Sequence, residues 1–368
     1  MGSNPVSLNV KCPTGGFYMS YDGCNGYNGM NANGMGMNGM NNQNVHCEKR
    51  DTDRQVRSRI FGTSAVLCSG ICGYVLFSAL IGQVLSSFPM LRGRYLDSSV
   101  FGMFFDMLYS FVCVGLPFLA VFLFFGFFSD EAPDIRFGKV YNRTNAALLI
   151  VAGLGVCFLG NLIDSMIIDW LGSMGMEFYS YREATSGADV PTGAVEFLLT
   201  SVRTAVIPAF IEEFAFRGVV LGTLRKYGDA FAIGVSAALF GLMHGNFTQV
   251  PFAVIAGIAL GFVCVVTGSI WPSVILHFCN NFISVTYSTA MAQTGGNSVL
   301  LSVTVTYGII FTGAAALGIY LFRSKNGLRL RPSPHICVHG KTLAFILSPT
   351  FILGAGALIK NMFDDIVK

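Results

Sequence analysis

Two adjacent glutamates stand in an apolar run, Ile211-Glu212-Glu213-Phe214-Ala215-Phe216-Arg217, and from Ala230 to Phe322 the chain has no Asp, Glu, Lys or Arg. Two of its five histidines, His244 and His277, lie inside that uncharged stretch, and Asn281 follows the second by one helical turn. Ionisable groups at bilayer depth are costly and mark function when they face a protein interior or a wet cavity. A carboxylate, two imidazoles and a carboxamide can together activate a water, hold a developing oxyanion and protonate a leaving amine. Those are the requirements of peptide-bond hydrolysis.

The spacing sorts these groups. Glu213 and Arg217 are one turn apart, where carboxylate and guanidinium pair, while Glu212 is turned about 100° away. The arginine can hold one carboxylate and leave the other free. Read alone, the trio fits polar glue between membrane helices equally well. Tyr227-Gly228-Asp229 reads as the turn of a helical hairpin, and Glu212 and His244 lie equally far from Gly228, which puts them at similar depth. Phe240, one turn before His244, can wall its imidazole. His277 and Asn281 share a helix face and suit a pair of donors aimed at one oxyanion. On simple helical rise His277, close after Trp271, looks shallower than His244.

With these three motifs, Glu212-Glu213-x-x-x-Arg217, Phe240-x-x-x-His244 and His277-x-x-x-Asn281, the chain resembles the CPBP family of CAAX prenyl proteases and bacteriocin-processing enzymes over roughly residues 195–290. The resemblance implies a multi-span intramembrane endopeptidase acting on a peptide or lipidated protein at the membrane. It implies Glu212 as general base with His244 as its partner, His277 and Asn281 as the oxyanion hole, and Glu213 and Arg217 as orienting residues. Metal dependence stays open, because Glu212, His244 and His277 would also suit a catalytic zinc with one open position, although no His-Glu-x-x-His occurs.

Other readings fit less well. The sequence has neither the Gly-x-Gly-Asp of an aspartyl site nor the Gly-x-Ser-Gly of a serine site, and Asp106 and Asp164, the latter near Asn161, read as packing groups. A non-catalytic scaffold or bacteriocin-immunity protein would use the same cluster structurally. A proton-coupled transporter would show an internal repeat, and none is evident.

The elements that must position these residues are membrane helices. Over 368 residues, 53% hydrophobic and 12% charged composition with mean hydropathy of +0.59 exclude an ordinary soluble protein. The fold expected is an all-α polytopic bundle. Eight apolar segments are long enough to cross a bilayer: 60–88, 100–128, 146–168, 195–226, 231–247, 251–267, 271–289 and 299–322. A ninth, 343–359, contains Pro349. Basic residues at 49–59, 136–143, 225–226 and 323–331 fall on one side, predicting a cytoplasmic amino terminus at the cell membrane; Arg92 and Arg94 dissent.

The membrane domain is expected over 58–368. Residues 1–57 form an Asn/Gly/Met-rich tail that cannot bury a core and is expected to be disordered. Residues 169–194 should be its longest external loop. The ten cysteines form no framework and no CxxC pair, and a net charge of +3 suggests no nucleic-acid partner. Ala253, Gly257 and Gly261 make a small-residue stripe for close helix packing. Pro208, one turn before Glu212, should kink its helix and open a cavity.

Overall fold

The computed structural model describes residues 53–97, 99–129, 132–178, 190–191, 193–293, 299–324, 330, 340–364 and 366–367. Its helices follow in order: α1 Asp53–Ser87, α2 Pro89–Asp97, α3 Val100–Phe128, α4 Arg143–Ser173, α5 Ala194–Tyr227, α6 Asp229–Met243, α7 Val250–Thr267, α8 Trp271–Gln293, α9 Val299–Arg323, α10 Lys341–Ile346 and α11 Pro349–Asp364. Of these, α1, α3, α4, α5, α7 and α9 are long and apolar enough to cross a membrane. The 15-residue α6 is apolar but short, and the 23-residue α8 is diluted by His277, Asn280 and Asn281. All eight expected segments are helical, and the chain is a multi-pass membrane protein. Most of the expected tail, residues 1–52, lies outside the described residues, and α1 begins at Asp53.

Local chemistry explains the boundaries. Asn142 caps α4, its side chain accepting from Asn145 N at 2.9 Å, which satisfies one orphan amide of the first turn. Gly228, at φ 125°, makes the α5–α6 turn, a conformation that favours glycine. The ninth stretch divides into α10 and α11 at Leu347-Ser348, and Pro349 opens α11 where its missing N–H costs nothing.

Between α6 and α7 a Cβ on Gly257 would sit 2.9 Å from Ala237 Cα, so the small-residue stripe brings two backbones together. Lipid is as apolar as a buried leucine, so such packing, rather than escape from water, holds the helices. Apart from helices, β1 (Glu177–Phe178) pairs antiparallel with β2 (Ile366–Val367).

One end of the bundle is marked by several cross-links. Lys341 Nζ donates to Tyr227 O at 2.9 Å, and Asp134 N donates to Gly222 O at 3.4 Å. The strap 132–142 continues to the α7–α8 turn, where Ile270 N donates to Arg136 O at 2.9 Å and Ser269 Oγ to Gly138 O at 2.8 Å. The strap thus ties that turn to Gly222 of α5. His277 reaches Glu213 Oε1 at 2.9 Å and so lies at the depth of the glutamates.

Candidate active site

Helix α5 is not uniform. Its α-helical turns alternate with π-helical stretches at Val202–Val206 and Phe214–Leu221, on either side of the α-helical segment Ile207–Glu213 that carries both glutamates. Pro208 lacks the N–H that would bond Thr204 O in an α-helix. That carbonyl instead accepts from Asn281 Nδ2 at 2.9 Å, tying α8 to α5. A π-helical stretch precedes the segment that Pro208 opens, and Pro208 lines the cavity beside it.

The cavity has a volume of about 150 Å³ and is walled by Glu212, His244, His277 and Asn281 together with Thr204, Pro208, Phe240, Asn280 and Cys157, and by Phe252, Ala256 and Leu260 of α7. The four side chains singled out from sequence therefore meet around one space. The glutamates divide as their spacing predicts. Glu213 is 0% exposed, whereas the Glu212 side chain is 26% exposed.

Glu213 Oε1 lies 2.9 Å from Arg217 Nη1 and 2.9 Å from His277 Nδ1. Arg217 also donates from Nη2 to Gly257 O at 3.1 Å and lies 4.5 Å from the centroid of the Phe240 ring. A fully buried ion pair survives only when such further partners compensate its lost hydration. These partners join α5, α7 and α8.

A carboxylate only accepts, so His277 Nδ1 carries the hydrogen and leaves Nε2 directed toward Glu212 Oε2, 3.9 Å away. Likewise His244 Nδ1 donates to Phe240 O at 2.9 Å, leaving its Nε2 as the unengaged ring nitrogen. Phe240 packs T-shaped on both imidazoles, with centroids at 5.1 Å from His244 and 5.9 Å from His277. Thus Phe240 does wall His244, and it packs on His277 and Arg217 as well.

Asn280 escaped the sequence reading. It is buried, lines the cavity and donates from Nδ2 to Asn281 Oδ1 at 3.0 Å. Its signal was its place beside Asn281 and one turn after His277 in α8. Arg203 was also missed: its Nη1 lies 2.8 Å from Asp106 Oδ2, whose other oxygen accepts from Tyr95 OH at 3.1 Å. Asp106 is thus a packing group near the start of α5. Asp164 is buried on α4 and does not line the cavity.

As to metal, among the described residues no three His, Cys, Asp or Glu side chains are arranged to hold an ion. The Nδ1–H groups of His244 and His277 are engaged by Phe240 O and Glu213 Oε1, which leaves both Nε2 atoms open, as in a metal-ligating histidine held by its other nitrogen. The side-chain types of Glu212, His244 and His277 suit zinc, but in this arrangement the three do not converge on one ion position.

A transmembrane helical bundle with a buried Glu-Arg-His network beside a polar cavity defines a candidate intramembrane hydrolase. Residues 194–283 match the model of one family, described as type II CAAX prenyl endopeptidase Rce1-like. The match spans the three motifs and agrees with the resemblance they carry. Neither a curated protein nor a solved structure matches the chain.

Proposed function

We propose that this protein is an intramembrane endopeptidase that hydrolyses a peptide bond of a membrane-associated protein or peptide. The observation that carries the reading is the convergence of Glu212, His244, His277 and Asn281, from α5, the end of α6 and α8, on one cavity. Glu212, the accessible carboxylate, takes a proton from a water that His244 Nε2 helps to orient. The resulting hydroxide adds to the scissile carbonyl carbon. His277, in its form protonated at Nε2, and the second amide hydrogen of Asn281 donate to the oxyanion. Collapse of the intermediate breaks the C–N bond as Glu212 returns its proton to the leaving amine.

Glu213 and Arg217 orient His277 without touching substrate. Asn281 is itself oriented by Thr204 O and Asn280. The description of the matched family supports a lipidated carboxy-terminal tail as the substrate class. The basic ends of the helices support a cytoplasmic amino terminus. Comparing the membrane peptidomes of cells carrying the native chain and Glu212→Ala tests the proposal. Specific fragments should disappear, and their full-length precursors accumulate, in the variant. Identical peptidomes at equal protein level would refute it.

A further inference from the structure

A second cavity, of about 340 Å³, lies between α6 and the α10–α11 pair, within the size range of ligand pockets, about 300–1,000 Å³. It is distinct from the catalytic cavity. Phe231, Gly234, Ala238 and Leu242 of α6 line it, facing Phe345 and Phe351, whereas Phe240 and His244 project from the opposite side of the same helix region. Among the described residues no charged side chain lines it.

The groove is built into the fold. Ser64 Oγ of α1 donates to Phe345 O at 2.7 Å and lies 2.8 Å from Ser348 Oγ, and Thr350 Oγ1 donates to Ala65 O at 2.8 Å. The helix pair forming one wall is thereby pinned to α1. The other wall is kept low by Ala230, Gly234 and Ala238, all exposed, and a Cβ at Gly234 would meet nothing within 4 Å.

Its surroundings specify an occupant. From Phe231 to Leu242 the groove runs about 16 Å at helical rise, close to half of a hydrocarbon core about 30 Å thick. That is the depth of one leaflet, and the medium beside a multi-pass bundle is acyl chain. At the Phe231 end three cations gather. Lys341 Nζ lies 5.8 Å from the Phe231 ring centroid, Lys226 Nζ lies 5.2 Å from that of Tyr227, and the Arg57 side chain passes beside Gly340. Basic groups at the mouth of an apolar groove between membrane helices recruit anionic headgroups.

We infer that this groove binds one anionic phospholipid, with an acyl chain along α6 and the phosphate at the Lys226–Lys341 end. The site is independent of the catalytic reading. It would tie the hairpin that carries His244 to the lipid composition of one leaflet.

Photolabelling of the full chain in phosphatidylcholine vesicles tests the inference, using traces of phosphatidylglycerol or phosphatidylcholine with a diazirine in one acyl chain. The phosphatidylglycerol probe should mark peptides 230–242 and 342–351. The phosphatidylcholine probe should mark them weakly. Labelling should fall about fivefold for each of Lys226→Gln and Lys341→Gln, the worth of one basic residue at an anionic surface. Gly234→Leu, which fills the groove and raises helix propensity, should abolish it while the protein stays folded. Equal labelling by both probes, labelling that survives Gly234→Leu, or displacement of the lipid probe by millimolar inorganic phosphate would overturn the assignment.

Discussion

At the scale of single residues, the two neighbouring glutamates have opposite duties because a helix turns them apart. Glu213 is fully buried against Arg217 and His277, so Glu213→Gln leaves a buried guanidinium without its counter-charge. Breaking a buried pair from one side costs about 3–5 kcal/mol. Thermal unfolding in detergent should therefore show a large loss of stability for Glu213→Gln and almost none for Glu212→Gln. Equal unfolding temperatures for the two variants would mean that the burial assigned to them is wrong. The division between Glu212 and Glu213 was legible in the sequence, since it follows from the Glu213–Arg217 spacing alone. The bond from His277 Nδ1 to Glu213 was not, because it joins residues far apart in the chain whose relative depth depends on where the α7–α8 turn sits.

Among elements, α5 shapes the candidate site through its irregularity. Pro208 frees Thr204 O, and Asn281 takes it. Pro208→Ala restores a backbone donor that competes for that carbonyl, so the variant should fold at least as well and turn over substrate more slowly. Losing the orientation of one oxyanion donor typically costs about 10²–10³ in kcat. An unaltered kcat in a steady-state assay would show that the Thr204–Asn281 contact has no part in turnover.

The loop after α6 is held from another direction. Phe178 of β1 stacks on Phe247 at 5.6 Å, and β1 is itself paired with β2. Phe178→Ala should loosen the segment that follows His244 and raise amide hydrogen exchange at residues 245–249, with little change in α8. Unchanged exchange there would mean that the stack does not restrain the loop. Pro208 marked in the sequence where α5 borders the cavity, but the π-helical stretches themselves had no signal there. The two-residue strands did not announce themselves, since an isolated pair that short has no periodicity to read.

For the molecule as a whole, the helix boundaries followed from hydropathy closely: α3 matches its expected span of 100–128, and α5, α7, α8 and α9 begin within a residue of expectation. Apolar length sets these limits because a bilayer accepts only helices whose backbone groups are satisfied internally. What hydropathy could not reveal is how far each turn lies from the membrane surface. The strap 132–142 ties the α7–α8 turn to Gly222 of α5, and His277 of α8 meets Glu213.

The central claim is that Glu212 and His244 activate water within the membrane-embedded body. It is tested most directly by single-turnover cleavage of a membrane-anchored peptide in proteoliposomes containing native protein, Glu212→Gln or His244→Ala, with unfolding temperature measured on the same preparations. Loss of a general base costs about 10²–10⁴ in rate. The account predicts a fall of that size for both variants at unchanged unfolding temperature. Cleavage by folded Glu212→Gln at the native rate would contradict it.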